Sequence, residues 1–556
     1  MTYQPPVSEI LLAMKVTGGL GPDLSLEDAQ TIIAEAGRLA ADIIAPLNRV
    51  GDKHPAKVVD GVVSTPPGWT EAYKAWCEGG WNALTGPQEF GGQGLPMVMA
   101  VATAEMLNAA CLSFALCPLL TNGAIEAINA HASDELKQRY LPKMITGEWT
   151  GTMNLTEPQS GSDLSTLRTK ARRESDSTYR ITGQKIYITY GEHEMTSNIV
   201  HLVLARLEGA PEGTRGISLF LVPKVLPDGA RNDLRCHALE HKLGIHGSPT
   251  CTMIYGDNGG ATGWLVGEEN RGLNCMFTMM NNARLLVGVQ GVAVAERAYQ
   301  AALAFARERK QGRSARMTTG SSAIIEHPDV KRMLLDIRSK TAAARMLCMA
   351  TATAIDQAST AMADDARRIA NARASLLTPL AKAYSTDISV EVASAAVQIC
   401  GGMGFVEETG VAQYYRDARI LPIYEGTNGI QAIDLVTRKL QIDNGATLAE
   451  LIAESAENLS KRLGSEKTSS LSARLVAMVQ KLNTDKGQLA SATPFLRALS
   501  TFAAAGLLAK SVELTKDTLF EQQTLAELTY YCNVELAAAL ATAEGMIESA
   551  ALMGTF

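Results

Sequence analysis

The sequence predicts four successive parts: an N-terminal all-α domain, a middle β-domain, a C-terminal helical-bundle domain and an additional C-terminal helical region. Three observations carry this. Ala-, Leu- and Met-rich stretches with apolar residues at helical spacing fill both ends of the 556-residue chain. Between them, short β-favouring runs are punctuated by Gly and Pro. A hydrophobic content of 46% is enough for several cores. The division expected is an N-terminal extension at 1–35, the all-α domain at 36–150 and the β-domain at 151–275. The bundle follows at 276–440 and the extra helical region at 441–556.

In order, residues 24–46 read as a helix with an apolar face, stopping near Pro46. Helix-like segments continue from about 69 to 140 around the Gly/Pro-rich loop 86–96, and Leu141-Pro142 marks a boundary. Tyr179 to Thr182 and Lys185 to Tyr190 then read as strands separated by Gly183-Gln184, and Ile199 to Ala205 and Ile217 to Val222 extend the series. The gaps are too short for most of the crossover helices that a parallel sheet requires. Helices resume after Asn274, with breaks expected at Gly312, Pro328, Pro379 and Gly401-Gly402. The last region is acidic on balance, with 9 Lys/Arg against 13 Asp/Glu in 441–556.

A net charge of −7 argues against nucleic acid as the principal partner and against an anionic membrane surface. Nine scattered cysteines without a CxxC pair fit a reducing compartment better than a disulfide framework or zinc site. His237, His241 and His246 match no metal spacing, so no metal is expected. The start lacks a basic segment followed by an apolar core, and the apolar stretch Phe502 to Leu508 is too short to span a bilayer. The expectation is a cytoplasmic protein with no integral membrane segment.

Glu425 is the outstanding candidate for chemistry. It lies at an abrupt turn between two helix-like segments, with Gly426 beside it and Thr427 next. A carboxylate presented this way removes a proton from carbon if burial raises its pKa. The polar turn from Asn154 to Asp163 offers backbone amides for a phosphate and the Thr156 hydroxyl for a cofactor ring. Its glycine spacing is not that of a Rossmann fingerprint. Tyr187 and Thr189 share one strand face by two-residue alternation, an aromatic ring beside a hydroxyl. Gln398 to Phe405 ends a helix with three glycines, which permits close backbone approach. Arg284 sits in an apolar helical run and needs a counterion or acceptors. Arg309 belongs to a charged helix end.

Five runs in this order, LTEPQSGSD (155–163), TGQKIYITYG (182–191), HKLGIHGSPT (241–250), QICGGMGF (398–405) and RDARILPIYEGTN (416–428), closely resemble the acyl-CoA dehydrogenase family of flavoproteins. The resemblance covers roughly residues 30–440. It implies an acyl-CoA dehydrogenase-like fold binding FAD, with Glu425 as the catalytic base. It further implies cofactor contacts from Leu155, Thr156, Tyr187, Thr189 and Thr427, and contacts to a dimer partner's FAD from Arg309, Gln398, Gly401 and Gly402. Ser162, Asn281, Arg284, Tyr424 and Gly426 match positions on the substrate side. Some members carry the base just before the arginine matched by Arg284; here that position is Ala283, which leaves Glu425 alone. The sequence departs from the family at Tyr187, where Trp or Phe is usual, in the run Tyr190 to Met195, and in the missing Phe before Gly312.

The implied reaction is α,β-dehydrogenation of an acyl-CoA thioester to a trans-2-enoyl-CoA. Glu425 takes the α-proton, flavin N5 receives the β-hydride, and the Glu425 amide and a ribityl hydroxyl stabilise the thioester oxygen. The chain looks most like the long bacterial subgroup whose members act on 3-methylmercaptopropionyl-CoA or on fatty acyl-CoAs in beta-oxidation. A homodimer and an electron-transfer flavoprotein acceptor come with the resemblance. The enzyme alternative is an acyl-CoA oxidase, which peroxide release distinguishes. The other class is an AidB-like nucleic-acid-binding flavoprotein, which salt-sensitive DNA retention distinguishes.

Overall fold

Long apolar-faced segments become helices because those faces bury one another, and the β-favouring runs pair into one sheet. The structure, a computed structural model, describes residues 2–21, 24–315, 319–484, 488–550 and 552. Contacts divide it into two compact units: Arg38–Ala100 with Ala110–Ala283, and Met1–Gly37 with Val101–Ala109 and Arg284–Phe556. The N-terminal extension therefore groups with the C-terminal helices, because the helix Val7–Thr17 packs on the helices Pro328–Thr360 and Gln488–Leu514.

The first unit contains every strand among the described residues. A hairpin of β1 (Lys57–Val59) and β2 (Val62–Ser64) stands apart from the main sheet; no strand was expected before residue 150. The sheet itself comprises β3 (Trp149–Asn154), β4 (Lys170–Arg173), β5 (Tyr179–Thr189), β6 (Asn198–Leu207), β7 (Ile217–Pro223), β8 (Leu234–Leu239), β9 (Thr250–Tyr255) and β10 (Ala261–Val266). Its order is β10-β7-β6-β4-β5-β9-β8, with β10 also pairing β5, so part of the path closes on itself. Pairs such as β4–β5, β6–β7 and β8–β9 are antiparallel, as the short gaps require. The parallel pairings, β3 with β6 and β4 with β6, join strands far apart in sequence, where the intervening chain supplies the crossover. Ile181, Ile188, Val203, Phe220, Val222 and Tyr255 belong to the apolar core of this sheet.

The second unit is a helical bundle. Its longest members, Pro328–Thr360 and Asp364–Cys400, pack along one another, and Gln488–Leu514 packs on both. The helices beyond residue 440 are bonded into this bundle rather than appended to it. Tyr384 and Tyr531 share a hydroxyl–hydroxyl bond of 2.6 Å, Arg338 Nε donates to Glu527 at 2.5 Å, and Lys340 pairs with Glu535 at 3.3 Å. Arg345, 4% exposed at its side chain, donates to both Glu105 and Glu296.

Proline misled the sequence reading twice, at Pro142 and Pro379, but not at Pro46. The helical run from Leu26 to Ile44 ends, as expected, in a turn at Ala45-Pro46, and the φ of −58° at Pro46 suits the start of the next helix, Leu47–Lys53. Pro142 and Pro379 both lie inside helices, Asp134–Ile145 and Asp364–Cys400. Each forfeits one amide bond, and buried neighbours such as Leu141, Leu377 and Leu380 carry the helix across. Pro328 does begin a helix. The stretch 502–508 is also part of a longer element than its composition suggested. Leu489–Leu514 is long and apolar enough to cross a membrane, but 78% of its most apolar window is buried inside the bundle, the mark of a core helix.

Candidate active site

The helix Val411–Ala418 stops at Arg419, and a series of short turns brings the chain to Tyr424. Glu425 (φ 54°) and Gly426 (φ 85°) then both adopt left-handed backbone before Thr427 opens the helix Asn428–Thr437 as its N-cap, accepting from the Ile430 amide at 3.2 Å. A non-glycine residue there is costly, by about 1–3 kcal/mol. Gly426 meets the same requirement without a side chain; a Cβ on it would lie 2.7 Å from the Gln431 amide nitrogen.

Charged groups surround the turn. Burial raises the Glu425 carboxyl above the ordinary carboxylate range, while the cations Arg284 and then Lys382 oppose that rise. Burial lowers Arg284, against Asp434 and Glu425. Tyr424 donates its hydroxyl to Gln290, whose amide donates to Asn108 at 3.1 Å. Glu425, Arg284, Tyr424, Gly426 and Thr427 thus form one neighbourhood, as expected. Lys382 and Asn428 belong to it too and were assigned no role from sequence. The available signal for Lys382 was a cation set between Leu380-Ala381 and Ala383-Tyr384 in an apolar helix.

In the β-bearing unit, Leu155, Thr156, Tyr187 and Thr189 are brought together by a buried joint. Lys185, 0% exposed, donates to the Leu155 carbonyl and to Glu157 Oε1, each at 2.9 Å. The Ile186 amide donates to the Thr156 carbonyl at 2.9 Å, and Thr152 Oγ1 to the Thr189 carbonyl at 2.7 Å. Glu157 also accepts from the Arg168 and Thr169 amides and the Thr169 hydroxyl. Burial raises its carboxyl, but Lys185 and these bonds outweigh that and hold it at about 2. Burial draws Lys185 down to about 8 against the attraction of Glu157. With both bonds short, the ion pair is the state at neutral pH.

Burial alternates across Tyr187, Ile188 and Thr189 as expected, but out of phase with the strand before them. The β5–β9 register shifts between Lys185 and Ile188, and Tyr187 has φ 60°. Lys185 is buried before this bulge and Ile188 after it, with Tyr187, 60% exposed, and half-buried Thr189 on either side of Ile188. Ser162 is exposed in the polar turn, and Asn281 is exposed on the helix Gly272–Glu308. Arg309, Gln398, Gly401 and Gly402 are exposed in the helical unit, outside the Glu425 neighbourhood.

These features offer a cofactor hydrogen-bonding groups and open backbone. Among the described residues, the half-buried hydroxyls of Thr156 and Thr189 are not committed to another residue. An added Cβ on Gly401 or Gly402 would meet nothing within 4 Å, so their backbone lies open to a ligand.

Comparison with known proteins gives matches along most of the chain. Family models described as the acyl-CoA dehydrogenase N-terminal, middle and C-terminal domains match residues 26–148, 152–258 and 270–440. A 3-methylmercaptopropionyl-CoA dehydrogenase of Ruegeria pomeroyi is 52% identical over 83% of this chain and 81% of its own. A butyryl-CoA dehydrogenase of Syntrophomonas wolfei is 36% identical over 79% of this chain and 74% of its own. Among solved structures, a Bacillus anthracis acyl-CoA dehydrogenase complexed with FAD superposes with a TM-score of 0.77 at 22% identity, covering 97% of this chain and 90% of that one.

Proposed function

The chain belongs to the acyl-CoA dehydrogenase family, and from that premise we propose that Glu425 is the base of an FAD-dependent α,β-dehydrogenation of an acyl-CoA thioester. The observation that carries this reading is a desolvated carboxylate held on a left-handed turn beside Arg284 and Lys382. Raised basicity suits a group that must take a proton from carbon, and the neighbouring cations favour its ionised form. Among the described residues no acceptor takes the Glu425 amide. It is available to a thioester oxygen, where it stabilises charge that develops as the α-proton leaves.

When bound, FAD supplies the two-electron acceptor for the hydrogen leaving the β-carbon. Leu155, Thr156, Tyr187, Thr189 and Thr427 are the residues proposed to hold it. Arg309, Gln398, Gly401 and Gly402 are proposed to reach the cofactor of a second copy in a homodimer, which accords with their exposure. Ser162, Asn281, Arg284, Tyr424 and Gly426 are assigned to the acyl-CoA. We further propose 3-methylmercaptopropionyl-CoA as the first substrate to test, since the relative at 52% identity bears that name. An electron-transfer flavoprotein is the proposed acceptor and the cytoplasm the proposed location; nine cysteines that form no disulfide accord with a reducing compartment.

The test is Glu425→Gln. The variant is expected to retain FAD and to lose flavin bleaching by acyl-CoA by about 10²–10⁴-fold under anaerobic conditions. Bleaching at the parent rate would remove Glu425 as the base. A panel of short, medium, long, branched and thioether acyl-CoAs in the same assay sets the substrate class. Peroxide release on reoxidation would favour the oxidase alternative.

A further inference from the structure

Lys382 is wholly buried, at 0% exposure, in the middle of the helix Asp364–Cys400. A buried ammonium is costly unless its protons find acceptors. Its Nζ donates to the Gly426 carbonyl at 2.9 Å and to Asn428 Oδ1 at 2.8 Å. Neither acceptor is charged, so this lysine is not buried as half of a contact ion pair. Both bonds run to the turn that carries Glu425. Asn428 is itself held with its oxygen toward Lys382: its Nδ2 donates to the Ala383 carbonyl at 3.2 Å, Thr386 Oγ1 at 2.9 Å and Asp387 Oδ1 at 2.7 Å. One helix therefore grips the two positions that flank Thr427.

The turn needs this grip. Glu425 and Gly426 both sit at positive φ, and relaxation of either would swing the carboxylate away from its place. We propose that Lys382 is the positioning residue for Glu425, clamping the Gly426 carbonyl so that the left-handed turn is kept. This rests on Glu425 being the base.

Its charge has a second consequence. The titratable and charged groups around the pair are Arg284 from the helix Gly272–Glu308, Asp387 and Glu391 from the lysine's own helix, Tyr424 from the turn, Asp434 and Arg438 at the end of Asn428–Thr437, and Arg497 from Gln488–Leu514. Within this set, Lys382 is one of the cations that pull the Glu425 carboxyl down. Burial lowers Lys382 itself to about 7, against Asp387 and Glu425. Removing the lysine thus both loosens the turn and makes the carboxylate harder to ionise.

The experiment uses full-length, FAD-loaded Lys382→Met. Anaerobic flavin reduction by 3-methylmercaptopropionyl-CoA or butyryl-CoA, whichever bleaches the parent faster, is followed across the pH range in which both proteins keep FAD. The limiting rate is expected to fall about 10- to 100-fold, as for a misplaced catalytic group, with half-saturation changing less. The acid limb of the rate profile, which rises as Glu425 ionises, is expected to move to higher pH. Lys382→Gln is the companion variant: its amide donates to a carbonyl without charge, so the rate falls less while the pH displacement persists. Parental rate and pH profile in either folded variant would overturn the proposal. So would equal rate loss in both with the acid limb unmoved, since that is what bulk structural damage gives. If Glu425→Gln is inactive while Lys382→Met behaves as the parent, only the role of Lys382 falls. If Glu425→Gln reduces flavin normally, the base assignment falls first.

Discussion

Two fully buried lysines, Lys185 in the sheet unit and Lys382 in the helical unit, do the same mechanical job with different chemistry. Each donates to the backbone carbonyl of a turn that carries site residues, Leu155 in one case and Gly426 in the other. The second acceptor differs: ionised Glu157 for Lys185, the neutral amide of Asn428 for Lys382. A charged acceptor fixes both partners as ions and leaves Lys185 at about 8, whereas Lys382 falls to about 7. The first joint is a permanent structural tie. The second sits where its proton responds to neutral pH and to the charge on Glu425.

The comparison is broken most severely by Lys185→Met. It leaves the buried Glu157 without its counter-ion, with only the Arg168 and Thr169 amides and neighbouring neutral donors, and is expected to destabilise the protein by about 3–5 kcal/mol with loss of FAD. Chemical denaturation with flavin release as the readout checks this, and an unchanged midpoint would show that the joint carries no load. Acid gives a gentler probe of the same tie. The Glu157 carboxyl is depressed in the folded protein, so its stabilisation is complete above the unfolded value of about 4.3 and is lost as pH falls toward about 2. Glu157→Gln should flatten that part of the stability–pH curve. The smallest effect is expected from Thr427→Ala, which removes the cap of Asn428–Thr437 and costs about 1 kcal/mol. Thermal melting would register it, and a larger loss would mean that the Lys382 clamp depends on the cap.

The same contrast explains what the sequence made legible. The Glu425 turn is local: Gly beside Glu, after a helix and before another, can be read from adjacent residues. Lys185 lies inside a quoted motif and Lys382 inside an ordinary helical run, but their bonds reach across 28 and 44 residues of sequence, and spacing does not encode such partners. Helix periodicity placed the bundle, while Pro142 and Pro379 were read as ends because local propensity was allowed to outweigh burial on either side. Alternation placed Tyr187 and Thr189 relative to Ile188, but the bulge that moves the buried side from Lys185 to Ile188 is announced by no single residue type.

The bonds from Tyr384, Arg338 and Lys340 to Tyr531, Glu527 and Glu535 give the last helices a standing that their late position in the chain conceals. A version trimmed to the shorter family length would leave the Tyr384 phenol without its hydroxyl partner and take one carboxylate each from Arg338 and Lys340, which would keep only Glu9 and Tyr299, and Asp336 and Glu391. The tail is a wall of the house, and length cannot be shed here without rebuilding what stood against it.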